Sequence, residues 1–228
     1  MILCVLIPAK NESLTISETI KNLDQVLSKI SVNYLVVNDH SDDNTEEILK
    51  ELCLEYPNLR YVNNQGIPGV GNAISYGLKS WEGDLISLCM ADGSDFPRDV
   101  LRSYEIIKEG NSDCVFGSRF IEGGTVYNYP LVKLVLNRIF NNYTRIKSKY
   151  EYNDFTNIFK TYKRTAINEI TPILSDNFSI GMEMSIKAFK QGMRVVVIPI
   201  SWRQREAGKS KLNLRKNFNS YIQTLKYL

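Results

Sequence analysis

Short apolar runs alternate with helical patterns along the first half of the chain. The runs "ILCVLIPA" and "NYLVVND" are rich in β-branched residues, and "SLTISETIKNLDQVLSKI" between them repeats Leu and Ile at helical spacing. The alternation continues through "DNTEEILKELCLEY", "LRYVNN", "GVGNAISYGLKSW", "GDLISLCM", "PRDVLRSYEIIKEG" and "DCVFGSRF". This pattern predicts an α/β fold in which a mostly parallel sheet is flanked by helices.

Polar loops follow four of the apolar runs. They read "PAKNE", "NDHSDDNT", "ADGSD" and "GSRFIEGG". In open parallel sheets, ligands bind beyond the carboxyl ends of the strands. We therefore expect these four loops to line one crevice.

The pattern changes after Gly124. The segment "YPLVKLVLNRIFNNYTRIKSK" is long and amphipathic, and its cations are Lys133, Arg138, Arg145, Lys147 and Lys149. It predicts either a surface helix near a membrane or acceptor, or an ordinary helix packed on the core. No linker marks a boundary, so residues 1–228 are predicted to form a single domain, with a first part at about 1–120 and a second part at about 121–228.

Composition narrows the functional classes. The 228 residues are 43% hydrophobic and carry a formal charge of +3, which argues against a nucleic-acid partner. No apolar run approaches the ~20 residues of a spanning helix, and "MILCVLIPAKNE" is too short for a signal peptide. These features predict a cytoplasmic location, with peripheral contact at the cytoplasmic face of the membrane left open.

Cysteine and histidine usage limits the chemistry further. The four cysteines form no C-x-x-C pair and are expected to be buried free thiols. His40 is the only histidine, which removes most support for a histidine metal site or a Ser-His-Asp hydrolase. Carboxylates, arginines and lysines are left to carry the chemistry.

The stretch "CMADGSDFP" places Asp92 and Asp95 three residues apart, just after a predicted strand. Hard cations such as Mg²⁺ or Mn²⁺ commonly take one or two carboxylates together with substrate phosphates. The two acids therefore predict a divalent metal site. The alternative is a solvated acidic turn or a helix cap before "FPRDV".

Two further loops carry candidate binding groups. In "VVNDHSDDNT", Asp39 and Asp42 are placed to accept hydrogen bonds from a base or ribose, while Asp43 is also a plausible cap of the next helix. In "GIPGVGNAISYG", Gly69 and Gly71 resemble the start of a dinucleotide fingerprint, but Ile74 stands where its last glycine would be. The glycines predict either a turn close to a ligand or a plain turn.

Cations follow later in the chain, in "GSRF" and "RQREAGKSK". Arginine binds phosphate through paired hydrogen bonds, and a solvated basic tail is the alternative. Gly208 and Ser210 favour a shaped loop. The predicted phosphate-binding or acceptor-binding residues are Arg138, Arg203, Arg205, Lys209, Ser210 and Lys211, with Arg119 assigned to the donor side.

Taken in order, these motifs resemble the family 2 glycosyltransferases of GT-A fold, which have a Rossmann-like sheet. The resemblance is closest to the branch that acts on polyprenyl phosphates, typified by dolichol-phosphate mannosyltransferase. It rests on "IPAKNE", "VVNDHSDDNT", "GVGNAISYGL", "GSRFIEGG", "YNDFTNIFKTYKR" and "VVVIPISWRQREAGKSKL", and it runs through nearly the whole chain.

The resemblance implies that residues 1–228 form one catalytic domain, with a nucleotide-binding part at about 1–120 and an acceptor-side part at about 121–228. It also implies roles for particular residues. Asp92 and Asp95 would bind Mg²⁺ or Mn²⁺, although the usual D-x-D acids are replaced by Ala91 and Gly93. The donor, a UDP- or GDP-sugar, would contact Pro8, Ala9, Asn11, Glu12, Asp39, Ser41, Asp42, Gly71, Asp92 and Arg119. The catalytic candidates are Asp92, Asp95, Asp154 and Glu183, the last two as general bases.

The implied reaction is inverting transfer of a sugar from a nucleotide-sugar to an acceptor, in cell-envelope or glycan biosynthesis. A dolichyl or undecaprenyl phosphate is the favoured acceptor, because a lipid phosphate is already an anionic nucleophile. A hydroxyl of a polysaccharide or glycan and a non-catalytic nucleotide-sugar-binding protein stay open. A sugar-1-phosphate nucleotidyltransferase is disfavoured, because "IPAKNES" lacks its glycine-rich loop.

Overall fold

The computed structural model of the protein describes residues 1–205 and 220–227 and contains a seven-stranded sheet at its centre. Its strands are β1 (Leu3–Ala9), β2 (Val32–Asn38), β3 (Leu59–Asn63), β4 (Leu85–Leu88), β5 (Cys114–Ser118), β7 (Lys160–Lys163) and β8 (Val195–Pro199). They lie in the order β3-β2-β1-β4-β7-β5-β8, and every pair is parallel except those made by β7. The predicted α/β fold with a mostly parallel sheet is confirmed.

Helices connect the strands on both faces of the sheet. They are α1 (Ile16–Leu27), α2 (Thr45–Glu55), α3 (Val70–Gly77), α4 (Pro97–Lys108), α5 (Leu131–Ser148), α6 (Arg164–Ile170) and α7 (Ile180–Lys190). Alternate residues of β1 enter different cores: Leu3 and Val5 pack with α1, α2 and α4, whereas Cys4 and Leu6 pack with α3, α6 and α7. This period of two is what a strand covered on both faces requires.

The second half of the chain departs from simple alternation. Strand β7 inserts between β4 and β5 and runs antiparallel to both. The predicted strand "RVVVIPISW" is divided into β8 and a separate strand, β9 (Ser201–Arg203), which pairs with β6 (Thr125–Tyr127) in a small parallel sheet. These insertions bring residues from the second half against the carboxyl ends of β1 and β4.

The amphipathic segment after Gly124 forms α5, an 18-residue helix whose apolar face is largely uncovered. Only Phe140, Asn141 and Thr144 of this helix are buried. Seven large apolar side chains are 51% to 76% exposed: Leu131, Val132, Val135, Leu136, Ile139, Tyr143 and Ile146. We call these seven residues the α5 apolar face. Among the described residues, no helix combines the length and hydrophobicity that crossing a membrane requires.

Close packing explains why position 71 is a glycine. A β-carbon there would lie 2.2 Å from the carbonyl oxygen of Ser175, which is backbone and cannot move away cheaply. The first turn of α3 therefore lies directly against the loop at 175–177. The four cysteines are free, as predicted. Three of them are buried, whereas Cys53, which was also expected to be buried, is only partly so.

Candidate functional site

The carboxyl ends of β1, β2 and β4 meet at the polar end of a cavity of about 960 Å³. Its walls at this end carry six predicted donor-binding residues, namely Pro8, Ala9, Glu12, Asp39, Asp92 and Arg119. The same end is lined by Asp95, predicted as a metal ligand, by Arg205, predicted to bind phosphate or the acceptor, and by Lys10, which was not singled out from the sequence. The predicted crevice at these strand ends is therefore present.

Asp39 joins the end of β2 to the loop before α3. Its carboxylate accepts hydrogen bonds from the side-chain amide of Asn64 and the backbone N–H of Gly69, both at 2.8 Å. It is 3% exposed and still lines the cavity. These two bonds fix the orientation of the acid toward any nucleoside bound there.

Hydrogen bonds connect the loop after β1, which contains Asn11, to the loop after β2, which contains Ser41 and Asp42. The backbone N–H of Asn11 donates to the hydroxyl of Ser41 at 2.9 Å, and the N–H of Asp42 donates to the side-chain oxygen of Asn11 at 2.9 Å. A further hydrogen bond joins the Asn11 amide to the Asp42 carboxylate. These three residues and Gly71 are not among those that line the cavity. The hydrogen bonds of Asn11, Ser41 and Asp42 hold two loops of the predicted donor site together.

Asp92 and Asp95 leave β4 together, as predicted, but their surroundings differ. Asp92 is ion-paired to Arg205, whose Nη2 lies 2.7 Å from Oδ2, and it also accepts a bond from the N–H of Ser94. Asp95 accepts a hydrogen bond from the N–H of Met90 at 2.9 Å. Burial, together with the negative charge of Asp92, raises the pKa of Asp95 to about 7, although the Met90 bond opposes the shift.

The carboxylate oxygens at this turn are suitable ligands for a hard divalent cation. No cluster of three or more His, Cys, Asp or Glu side chains suited to a metal ion occurs within residues 1–205 and 220–227. Asp92 and Asp95 would thus need additional oxygens, such as those of a bound diphosphate, to hold the ion. The cation would then neutralise charge on that diphosphate.

Arg119 and Asp154 form a buried, bidentate ion pair at the end of β5. The guanidinium donates to the two carboxylate oxygens at 2.7 and 2.8 Å, and the backbone N–H of Arg119 adds a third bond at 3.1 Å. Burial alone would lower the pKa of Arg119, but the charge and hydrogen bonds of Asp154 outweigh it and raise the pKa. Asp154 is completely buried and already paired, so it is poorly placed to act as the predicted general base.

Glu183 has a structural role in place of the predicted catalytic one. Its carboxylate accepts hydrogen bonds from the N–H groups of Leu174 and Ser175 and pairs with Lys187 at 2.8 Å. It is completely buried and does not line the cavity. The carboxylate therefore holds the loop before α7 and does not face a substrate.

This assignment predicts the behaviour of Glu183→Gln. Stability should fall by about 1 to 2 kcal/mol, because a charged acceptor of buried N–H groups is weakened. The transfer rate per folded molecule should stay within about threefold of the wild type, whereas loss of a general base costs ~10²-fold or more. Urea unfolding and saturating transfer rates, measured on the same preparation, distinguish the two roles.

The remaining predicted cations are placed differently. Arg138 donates to the carbonyl of Asn153 at 2.9 Å and lies over the Phe120 ring, 4.2 Å from its centroid. Arg203 lies over Phe96 at 5.3 Å. Neither belongs to the residues that line the cavity. Lys209, Ser210 and Lys211 lie outside the described residues.

Sequence reasoning did not identify the second end of the cavity, which is apolar. It is lined by Leu136, Ile139, Phe140, Tyr143, Phe178, Tyr221 and Ile222. Three of these belong to the α5 apolar face, so the cavity opens directly onto that face. Tyr129 and Trp202 also line the cavity. Their ring centroids are 4.9 Å apart, and the Arg119 guanidinium lies 5.7 Å from each ring.

Lys160 was also missed, although it is completely buried behind the Arg119–Asp154 pair. Its ammonium donates to the carbonyls of Phe155 and Asn157 and lies about 5.5 Å from the Tyr152 ring centroid. Burial lowers the pKa of Lys160 to about 7. Nothing in the sequence "NIFKTYK" distinguishes Lys160, its first lysine, from a lysine on the surface.

Because the pKa of Lys160 is lower in the folded than in the unfolded chain, the unfolded state binds more protons between about pH 7 and pH 10. The contribution of this residue to stability should therefore rise with pH across that window. We expect the free energy of unfolding of the wild type to increase relative to that of Lys160→Met as the pH rises from about 6.5 to 9. Parallel pH profiles for the two proteins would contradict this.

Comparison with known proteins agrees with the geometry. The model of glycosyl transferase family 2 matches residues 4–171. The chain belongs to this family. It is a glycosyltransferase, as predicted.

Two curated relatives are similar over most of the chain. Polyprenol monophosphomannose synthase of Mycolicibacterium smegmatis is 30% identical over 221 residues, which cover 92% of this chain and 80% of the relative. Dolichol-phosphate mannosyltransferase of Pyrococcus furiosus is 29% identical over 212 residues, 91% of this chain. The chain spans 58% of the length of the Pyrococcus relative.

Solved structures show the same fold. Glucosyl-3-phosphoglycerate synthase of Mycobacterium tuberculosis, in complex with Mn²⁺ and UDP-glucose, superposes with a TM-score of 0.72 at 16% identity over 99% of this chain and 77% of that one. A complex of the same enzyme with Mn²⁺, UDP and phosphoglyceric acid gives a TM-score of 0.72 at 15% identity, over 99% of this chain and 76% of that one. The predicted GT-A fold is confirmed.

Proposed function

We propose that the protein transfers a hexose from a UDP- or GDP-sugar to a polyprenyl phosphate, with inversion at the anomeric carbon. The proposal rests mainly on one observation: a single cavity has acidic and cationic side chains at one end and apolar side chains, some of them from α5, at the other. A nucleotide diphosphate suits the first end and an isoprenoid chain the second. Residues of about 1–120 would bind the donor and residues of about 121–228 the acceptor.

In this reaction an oxygen of the lipid phosphate attacks the anomeric carbon. The bond from that carbon to the nucleotide diphosphate breaks, and the diphosphate leaves with the electron pair. Arg119 would stabilise the charge on the phosphates, while Asp92 and Asp95 would hold a divalent cation against them. The names of the two curated relatives, which both specify a polyprenyl-type phosphate, support this acceptor.

The arrangement of the acids also favours a phosphate acceptor over a hydroxyl. Asp154 is paired with Arg119, and Glu183 lies away from the cavity. Neither is available to remove a proton from a hydroxyl, whereas a phosphate monoester needs no base.

A hydroxyl acceptor remains the second candidate because of Asp95. Its pKa of about 7 is suited to a general base at neutral pH. A cation bound to the same carboxylate would lower that pKa and weaken it as a base. Asp95 would therefore act as a base with a hydroxyl acceptor and as a ligand of the cation with a phosphate acceptor. The acceptor assay below separates the two roles.

A transfer assay tests the proposal. Radiolabelled UDP-glucose, UDP-N-acetylglucosamine and GDP-mannose are each incubated with Mn²⁺ and undecaprenyl or dolichyl phosphate in detergent. The matched control acceptor is the same polyprenol without its phosphate. We expect label from one donor to enter the organic phase only with the phosphorylated lipid. Transfer of label to the polyprenol would contradict the proposal. So would transfer to glycans, added in a parallel reaction, when no label enters the lipid phosphate.

The α5 apolar face suits contact with a lipid surface. Its seven apolar residues are adjoined by Lys133, Arg145, Lys147 and Lys149, which can attract anionic headgroups. Contact there would place the apolar mouth of the cavity next to the hydrocarbon in which a polyprenyl chain lies. We therefore propose peripheral binding to the membrane through α5.

Vesicle sedimentation checks this contact. Val132→Glu with Ile146→Glu changes two exposed residues that do not line the cavity. We expect at least about tenfold weaker binding to vesicles containing 30% anionic lipid, because buried apolar area is replaced by two repelled charges. The control is Leu54→Glu, a change at an 88% exposed leucine on α2. Equal losses in both variants would rule out a specific role of α5.

A further inference from the structure

Arg205 occupies the centre of the acidic end of the cavity. Its Nη2 lies 2.7 Å from Oδ2 of Asp92 and 3.2 Å from Oε1 of Glu12. The Nε of the same guanidinium lies 3.1 Å from Oδ2 of Asp92. The three side chains are 12%, 11% and 8% exposed, for Arg205, Asp92 and Glu12 respectively, so this ion-paired cluster is largely shielded from water.

The guanidinium and a divalent cation would compete for the same oxygen. Oδ2 of Asp92 already accepts two hydrogen bonds from Arg205, while its Oδ1 accepts one from the N–H of Ser94. Two positive groups a few ångströms apart repel each other, and the repulsion is stronger in a site shielded from water than at the surface. Coordination of a cation by Oδ2 of Asp92 would therefore compete with its hydrogen bonds from Arg205.

The backbone links Arg205 closely to the turn that carries Asp92. The N–H of Arg203 donates to the carbonyl of Ser94 at 3.0 Å, and Trp202 forms an isolated bridge with Asp95. Arg205 lies two residues after Arg203 in the chain. It is therefore held within reach of both the carboxylates and any phosphate that occupies the same end of the cavity.

We propose that Arg205 makes nucleotide binding and metal binding interdependent. Without nucleotide, Arg205 neutralises Glu12 and Asp92 and excludes the divalent cation. A nucleotide diphosphate draws the guanidinium to its phosphate oxygens and leaves Asp92 to the metal. The inference rests on the donor site of the proposed function and adds the order in which its ligands bind.

Manganese binding to the full chain tests the coupling without any transfer reaction. Free Mn²⁺ is measured by electron paramagnetic resonance in the absence of nucleotide for wild type, Arg205→Gln and Arg205→Lys. The control is Arg194→Gln, which removes one positive charge from an arginine–aspartate pair with Asp113 away from the cavity. Far-UV circular dichroism and thermal unfolding establish that each variant is folded.

We expect Arg205→Gln to bind Mn²⁺ about tenfold more tightly than wild type, since a competing internal cation is removed. Arg205→Lys and Arg194→Gln should stay within about threefold of wild type. UDP or GDP should raise the Mn²⁺ affinity of wild type by about tenfold or more, and should raise that of Arg205→Gln by a smaller factor.

Unchanged or weaker Mn²⁺ binding by Arg205→Gln would overturn the inference. If Arg205→Gln does not fold, equal Mn²⁺ affinities of wild type with and without UDP and GDP would overturn it instead. The proposed function survives either result as long as wild type binds one nucleotide diphosphate together with Mn²⁺. Failure of wild type to bind any nucleotide diphosphate with or without Mn²⁺ would remove the donor site itself.

Discussion

Asp92→Asn is expected to transfer sugar at about one-hundredth to one-thousandth of the wild-type rate, the usual cost of losing one preorganised charge at a reacting centre. The substitution keeps the size of the side chain and its place after β4, so the fold should be retained. It removes the anionic oxygen to which a cation on the donor diphosphate would bind. The decrease should appear in kcat with the preferred donor at saturation, measured with Mn²⁺.

The control for this variant lies at the other end of the same strand. Asp84 directly precedes β4 and is 58% exposed, and Asp84→Asn changes the net charge by the same amount. Its transfer rate should stay within about twofold of the wild type. If Asp92→Asn retains more than about a third of the wild-type rate, Asp92 does not hold a catalytic cation.

Arg119→Met is expected to lose activity and stability together. Removing the guanidinium leaves Asp154 completely buried without its partner, which costs about 3 to 5 kcal/mol for a pair of this kind. The same change removes a cation proposed to stabilise the leaving diphosphate. Urea unfolding should show the first loss, and the transfer rate of the remaining folded protein should show the second.

The double variant Arg119→Met with Asp154→Asn separates the two effects. Stability should recover in large part, because no buried carboxylate is left without its guanidinium partner, whereas activity should not recover. An exposed pair provides the comparison: Arg194→Met should destabilise the protein much less than Arg119→Met, since Arg194 is 59% exposed and its ion pair is screened by water. Recovery of activity in the double variant would mean that Arg119 serves only to neutralise Asp154.

The sequence predicted the first half of the fold well, because the strands from β1 to β5 alternate along the chain with helices and each of these elements has its own hydrophobic pattern. Hydrophobic periodicity reports local structure and is reliable where local order and topology agree. Strand β7 was not predicted, because its place between β4 and β5 depends on pairing with residues more than 40 positions away along the chain.

The candidate site was predicted unevenly for the same reason. Asp39, Asp92 and Asp95 lie where parallel strands end, and the rule that ligands bind at these ends identified them. The partners that decide their roles are distant in sequence: Arg205 lies 113 positions from Asp92, and Arg119 lies 35 positions from Asp154. A carboxylate such as Glu183 therefore looked available in the sequence although folding pairs it with the backbone of a neighbouring loop.

Calorimetric titration of UDP, GDP, CDP and dTDP into the wild-type protein, with and without Mn²⁺, tests the central claim most directly. The account predicts that one nucleotide diphosphate binds, that Mn²⁺ strengthens its binding by about tenfold or more, and that Asp92→Asn removes this gain. If no nucleotide binds under either condition, the cavity at the ends of β1, β2 and β4 is not a donor site and the proposed function is wrong.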